Sequence, residues 1–215
     1  MAAIHALVEQ HRPDLSPYQA LYKHFHANPE LSNQEHETAA TIAKHLTSTI
    51  SPDFDVRTGI GGTGIAALLS NGSGPTVLLR ADFDALPVEE KTGLPYASTK
   101  RMRDADGVEK PVMHACGHDM HITSLLAAAE LLVAARESWA GTLVLVFQPA
   151  EERGTGAQGT SSSPSLSPMY TRQDPRLTLS VLMVQPWSTT ASTPPTASRT
   201  RTSCSARTSC RTARA

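Results

Sequence analysis

Two short apolar runs that each end on acidic residues, separated by one almost wholly apolar helical stretch, constrain this chain more than anything else in it. The first is TVLLRADFDALP from Thr76 and the second is GTLVLVFQPAEE from Gly141, with ITSLLAAAELLVAARE from Ile122 between them. Val77, Leu78 and Leu79 run without alternation, as in a strand covered on both faces. The intervening stretch is apolar round most of its circumference, so a helix there is expected to lie deep against a sheet. Strand, loop, helix, strand in that order predicts an α/β layer architecture with reactive residues at the strand ends.

The flanking sequence fills in the outline. PYQALYKHFHANPE reads as a helix that stops at Asn28-Pro29, because the residue before proline is pushed out of the helical region. SNQEHETAATIAKHL restarts a helix with Ser32 or Asn33 as N-cap and Ala39, Ile42, Ala43 and Leu46 at helical spacing. FDVRT, GIGGTG and IAALLS read as short β runs broken by glycine, and the turn NGSG predicts a hairpin between IAALLS and TVLLRAD. GIGGTG is followed by a strand and not a helix, which counts against phosphate binding. Residues 88–112 show no period and read as a long surface loop.

Composition changes abruptly near Gly159. The 57 residues from there on hold 23 Ser or Thr, seven Arg, one Asp, and no Lys, Glu or His. Such a stretch buries too little apolar surface to offset its ordering entropy, so 159–215 is expected to be a disordered tail after a folded part spanning 1–158.

With Lys+Arg 19 against Asp+Glu 20 the net charge is −1, which gives no reason to expect nucleic acid or an anionic membrane as partner. No window approaches the roughly 18 apolar residues of a membrane span, and MAAIHALVEQHRPDL reads as neither secretory signal nor anchor. Three cysteines, at 116, 204 and 210, make an odd number. A reducing, cytoplasmic setting is the expectation, with Cys116 a candidate thiolate ligand or nucleophile.

The chemistry concentrates in MHACGHDMH, residues 113–121. Cys116 and His118 are separated by one residue, with His114 and His121 close by. Thiolate plus imidazole is a borderline-soft donor set that suits zinc, with cobalt, nickel or manganese possible. So short a turn supplies about two of the ligands such a site needs. In QPAEE, Glu151 and Glu152 stand at a strand end, where one can ligate metal while the other serves as general base. Asp82 and Asp84, two residues apart, point to one face and suit the orienting of a ligand imidazole. Plainer readings exist for each element: a buried thiol beside a helix-capping histidine, a solvated Glu-Glu turn, and His24, His26, His36 and His45 as polar helix faces. The metal reading gains from conjunction, since every element falls at a strand end or a helix start.

HFHANPELSNQEHETAATIAKHL, TGIGGTGIAALL, TVLLRADFDALPVEEKTGLPYAS, MHACGHDMH and GTLVLVFQPAEERGTGA follow one another in the order of a known family. Over about residues 18–158 the chain resembles the metal-dependent amidohydrolases and carboxypeptidases, which include hippurate hydrolase, N-acyl-amino-acid amidohydrolases and hydrolases of indole-acetyl amino acids. The resemblance implies Cys116, His118 and Glu152 as metal ligands and Glu151 as general base. It implies Asp84 as the aspartate behind the site, and it places Asp82 where more distant peptidases use a histidine. His114, Asp119 and His121 would flank and support the ligands. Two divalent metals, zinc or manganese, would activate a water against the amide of an N-acyl amino acid or small peptide.

The implied fold is a three-layer α/β/α sandwich with an inserted lid domain that often mediates homodimers. The family continues with two further histidine ligands, whereas this sequence has no histidine after His121. The expectation is therefore an incomplete sandwich without the lid and C-terminal part, its tail an out-of-frame or mis-spliced continuation. The function expected by resemblance is amide hydrolysis impaired by truncation, the alternatives being an inactive fragment with a weak residual metal site or a structural zinc module.

Overall fold

GTLVLVFQ is apolar on both of its faces and has no side to offer to water, so it takes an interior place in the sheet. The structure, a computed structural model, describes residues 2–157 and 182–183. Its helices are α1 (Ala2–His11), α2 (Ser16–Ala27), α3 (His36–His45) and α4 (His118–Ala134). Its strands are β1 (Asp55–Ile60), β2 (Gly64–Asn71), β3 (Thr76–Asp82), β4 (Arg101–Arg103), β5 (Glu109–Pro111), β6 (Gly141–Gln148) and β7 (Leu182–Met183). Five strands form one mixed sheet in the order β1-β2-β6-β3-β7, and β4 pairs with β5 alone.

The side chains of β6 divide by parity. Leu143, Leu145 and Phe147 join Ile65, Ala67 and Leu69 of β2, and they pack against Phe25 of α2, Ile42 of α3 and Ile122, Leu125, Leu126 and Ala129 of α4. Val144 and Val146 pack with Leu78 on the opposite face. Burying a Leu or Phe side chain to this depth contributes roughly 1.5–3 kcal/mol. The α/β class is as the sequence predicts, with α2, α3 and α4 on one face of the sheet.

Strand β3 runs parallel to β6 in the register Thr76↔Thr142 through Asp82↔Gln148, with α4 in the crossover between them. Both strands therefore end at one edge, where α4 begins. That geometry carries DFDALP and PAEE to the same place.

The hairpin expected across NGSG does not form: β2 pairs antiparallel with β1 and β6, so β6 lies between β2 and β3. The reason lies in contacts with a segment much later in the chain. Asn71 Nδ2 donates to the carbonyls of Arg136 and Trp139, both at 2.6 Å, and ties the end of β2 to the segment entering β6. A Cβ on Gly141 would lie 2.1 Å from the Pro75 carbonyl oxygen, so the starts of β3 and β6 touch backbone to backbone. GIGGTG instead makes the β1–β2 hairpin, with positive φ at Gly59, Gly61 and Gly62.

Neither Ser32 nor Asn33 caps α3. The helix starts at His36, and its free N–H groups on Glu37 and Thr38 donate to the Glu30 carboxylate at 3.3 and 2.8 Å. Residues 88–112 are not all loop, since β4 and β5 form a hairpin within them. The disorder expected for 159–215 falls outside the described residues, apart from Leu182–Met183, which pair with β3 in parallel. No helix among the described residues is long and apolar enough to cross a membrane.

Candidate metal centre

Gly117 has φ of 78°, a left-handed conformation that turns the chain into α4 and sets His118 and Asp119 into the interior. His118 is 4% exposed. Its Nδ1 donates to the backbone carbonyl of Asp84 at 2.8 Å and lies 3.3 Å from Asp84 Oδ1. The other nitrogen, Nε2, faces Asp82 Oδ1 at 3.6 Å, Glu151 Oε2 at 3.8 Å and Glu152 Oε1 at 3.9 Å. Burial works against a charged ring here, but the Asp84 and Asp82 carboxylates outweigh it and raise the His118 pKa to about 9. The spot in front of Nε2 therefore favours positive charge.

The two aspartates beside it are held. Asp84 Oδ2 accepts from Ser32 Oγ at 2.7 Å and from the Glu152 backbone N–H at 3.1 Å. Asp82 Oδ1 accepts from His121 Nδ1 at 2.5 Å, and Arg80 Nη1 lies 3.1 Å from Oδ2. Burial opposes ionisation of Asp82, yet His121, His118 and Arg80 together lower its pKa to about 2. Ala150, in the turn before the glutamates, adopts φ of 49° and donates its N–H to Glu35 Oε1 at 2.9 Å. Glu35 is fully buried, and its second oxygen accepts from Thr63 Oγ1 at 2.6 Å.

Two groups of donors come within 4.8 Å of one another: His118, Glu151 and Glu152, and Asp82, His118 and His121. Neither group, among the described residues, includes Cys116. Cys116 is exposed, and a hydrogen bond to the Glu152 carboxylate, followed by burial, pushes its pKa up to about 11. Its thiol thus borders the second glutamate. His114 is buried with both ring nitrogens unpartnered, and burial lowers its pKa to about 4.

Asp119 lies behind the turn and carries a network the sequence reading missed. His26, expected on a polar helix face, is instead 5% exposed, with Nδ1 2.7 Å from Asp119 Oδ2 and Nε2 3.0 Å from Glu90 Oε1. Burial opposes its charge, but the two acids win and raise its pKa. His24 and His36 are exposed as expected, and His45 is half-buried against Tyr18. Glu35, Ser32, His26 and Glu90 were the unforeseen members. No local sequence signal points to them, because their partners lie far away along the chain.

The donor set fits a borderline divalent cation. It offers imidazole and carboxylate in two groups that share His118, and Glu152 Oε1 and His121 Nε2 are buried without a hydrogen-bond partner among the described residues. Residues 78–190, slightly more than half of the chain, match the sequence pattern of peptidase family M20/M25/M40. The chain is 48% identical over 138 residues to the N-acetyl-L-cysteine deacetylase of Bacillus subtilis (strain 168), covering 63% of this chain and 30% of that protein. It is 43% identical over 142 residues to the hippurate hydrolase of Campylobacter jejuni, covering 66% of this chain and 33% of that one. Among solved structures it resembles a putative aminohydrolase from methicillin-resistant Staphylococcus aureus, with a TM-score of 0.65 at 37% identity over 74% of this chain and 39% of the other. It also resembles Bacillus subtilis YXEP, a dinuclear metal-binding peptidase of the M20 family, with a TM-score of 0.61 at 35% identity over 70% of this chain and 39% of the other. The chain belongs to peptidase family M20/M25/M40, a family of metal-dependent hydrolases. It spans about a third of the length of these curated relatives.

Proposed function

We propose that the site serves divalent-metal-dependent hydrolysis of the amide bond in N-acyl amino acids or small peptides. One observation carries this reading: three carboxylates converge on His118 Nε2 at 3.6 to 3.9 Å, in a pocket that favours positive charge. Cys116, His118 and Glu152 are the proposed ligands, and zinc or manganese fits their chemistry. A cation held there supplies Lewis-acid polarisation of the scissile carbonyl and acidifies a water.

The protein's own residues do the rest. Asp84 fixes His118 through its backbone carbonyl and fixes Glu152 through the backbone N–H. Glu151 is the freer glutamate, its side chain 42% exposed against 16% for Glu152. It is placed to take a proton from the attacking water and pass it to the leaving amine. The deacetylase and hippurate hydrolase names of the relatives support an N-acyl amino acid as substrate. A cytoplasmic location and a homodimer remain part of the same proposal.

A second reading is a catalytically inactive chain with a weak residual metal site, favoured by the exposure of Cys116 and its place outside both donor groups found among the described residues. One preparation of the 215-residue chain, assayed for metal content and for hydrolysis of N-acetyl and N-benzoyl amino acids with added zinc or manganese, separates the two. Bound metal without turnover selects the second reading. Turnover that Glu151→Gln abolishes while metal content is kept selects the first, since the amide retains the shape but takes no proton. The composition break near Gly159 supports a shifted reading frame or mis-splicing downstream of it. Translating the other two frames tests this, and the idea fails if neither yields a family-like continuation.

A further inference from the structure

We propose that His121 is a second imidazole ligand of the metal centre, donating through Nε2, with Asp82 as the carboxylate that holds its ring. The inference rests on the reading of His118 and its surroundings as a metal site.

His118 and His121 are three residues apart in the first turn of α4 and so share one helix face. Their rings stack at 5.4 Å between centroids with 29° between planes. Both are built the same way. Each commits Nδ1 to an acceptor from the end of β3: His118 to the Asp84 carbonyl at 2.8 Å, His121 to Asp82 Oδ1 at 2.5 Å. In a neutral imidazole whose Nδ1 carries the donated proton, the lone pair is left on Nε2. A carboxylate or carbonyl behind Nδ1 is how metal-ligating histidines are oriented.

His121 Nε2 is buried and has no hydrogen-bond partner among the described residues. A buried polar atom left unsatisfied destabilises the fold, and a ligand at that position removes the cost. Asp82 is better placed to hold than to ligate. Its Oδ2 is engaged by Arg80 Nη1 at 3.1 Å, and Arg80 is in turn fixed by Nε donation to Gln148 Oε1 at 2.9 Å. The carboxylate is thus clamped between a guanidinium and an imidazole. Asp82, His118 and His121 each bring a donor atom within 4.8 Å of the others, so the three side chains form one of the two groups able to hold a cation. Two imidazoles suit Zn²⁺ or Co²⁺.

A plainly structural His121–Asp82 clasp between α4 and β3 makes a different forecast. Zn²⁺ is titrated into the metal-free 215-residue chain, and the ring nitrogens of His118 and His121 are followed by ¹⁵N NMR. The Nε2 signals of both rings are expected to move with one saturation curve. His121→Gln, which can still donate to Asp82, is expected to bind Zn²⁺ about 10- to 100-fold more weakly by calorimetry. If His118 Nε2 moves alone and His121→Gln binds as tightly as the parent, the inference is overturned and the metal centre stands. If neither ring responds, the metal centre itself is refuted and the inference with it. The spectroscopic arm needs no variant, so misfolding of His121→Gln leaves the answer intact.

Discussion

The two arms of the site are built differently. The imidazole arm, the first turn of α4, places His118 and Asp119 in the interior and fixes His118 and His121 against acceptors from the end of β3. The carboxylate arm, the turn after β6, carries Glu151 with its side chain 42% exposed and Glu152 at 16%. That arm is held by its backbone, through Ala150 N–H on Glu35 and Glu152 N–H on Asp84. The first arm is oriented through its own side chains, whereas the second is positioned through two backbone N–H tethers. Variants can test whether the carboxylates shift without disturbing the imidazoles.

Cutting the deeper tether should have the largest effect. Glu35→Ala removes the acceptor that two donors, the Ala150 N–H and Thr63 Oγ1, share at a fully buried position. Two unsatisfied donors and the vacated volume together cost roughly 4 kcal/mol. Urea denaturation should show that loss, and Zn²⁺ binding should weaken while the His118 and His121 ring signals of the metal-free chain stay in place. A loss below about 1 kcal/mol would mean that the turn holds its own shape without Glu35. The turn does have some closure of its own, since a Cβ on Gly156 would fall 1.6 Å from the Pro149 carbonyl oxygen.

That tether was not legible in the sequence, and the reason is physical. The α/β layering, the depth of α4 and the convergence of DFDALP with PAEE follow from apolar runs, and a run announces its own burial. Glu35 stands in SNQEHE, where a carboxylate near a helix start reads as an exposed first-turn acid. Only the tertiary approach of Ala150 and Thr63 makes it interior. His26 was misjudged for the same cause, because its partners Asp119 and Glu90 lie 93 and 64 residues away. The NGSG hairpin failed because the pairing partner of β2 was settled by β6, much later in the chain.

The next effect in size belongs to two buried histidines with opposite environments. His114 has no hydrogen-bond partner, and burial lowers its pKa from 6.5 to about 4. The unfolded chain therefore takes up the proton first as pH falls. The stability this neutral ring contributes is complete above about pH 6.5 and is lost towards pH 4, about 3 kcal/mol in all. His26, between Asp119 and Glu90, has its pKa raised, so its contribution is complete below pH 6.5 and fades as pH rises through the folded value. Denaturation of the parent and of His114→Leu at pH 7, 5.5 and 4 measures the difference. The stability gap between the two proteins should change by about 3 kcal/mol in favour of the variant on acidification, and a constant gap would show that His114 has a partner when folded.

The smallest of these effects asks whether the arms are independent at all. Asp84 touches both: its backbone carbonyl accepts from His118, and its Oδ2 accepts from the Glu152 N–H. Ser32 Oγ donates to that same oxygen at 2.7 Å. Ser32→Ala removes one hydrogen bond to a charged acceptor and should cost about 1.5 kcal/mol in urea denaturation. If Asp84 couples the arms, losing Ser32 loosens the Glu152 tether, and adding Glu35→Ala then cuts an arm already partly free. The double variant would lose less than the sum of the single losses by more than about 0.5 kcal/mol. Additive losses would mean that Asp84 holds its place through His118 alone, and that the two arms meet only when a cation joins them.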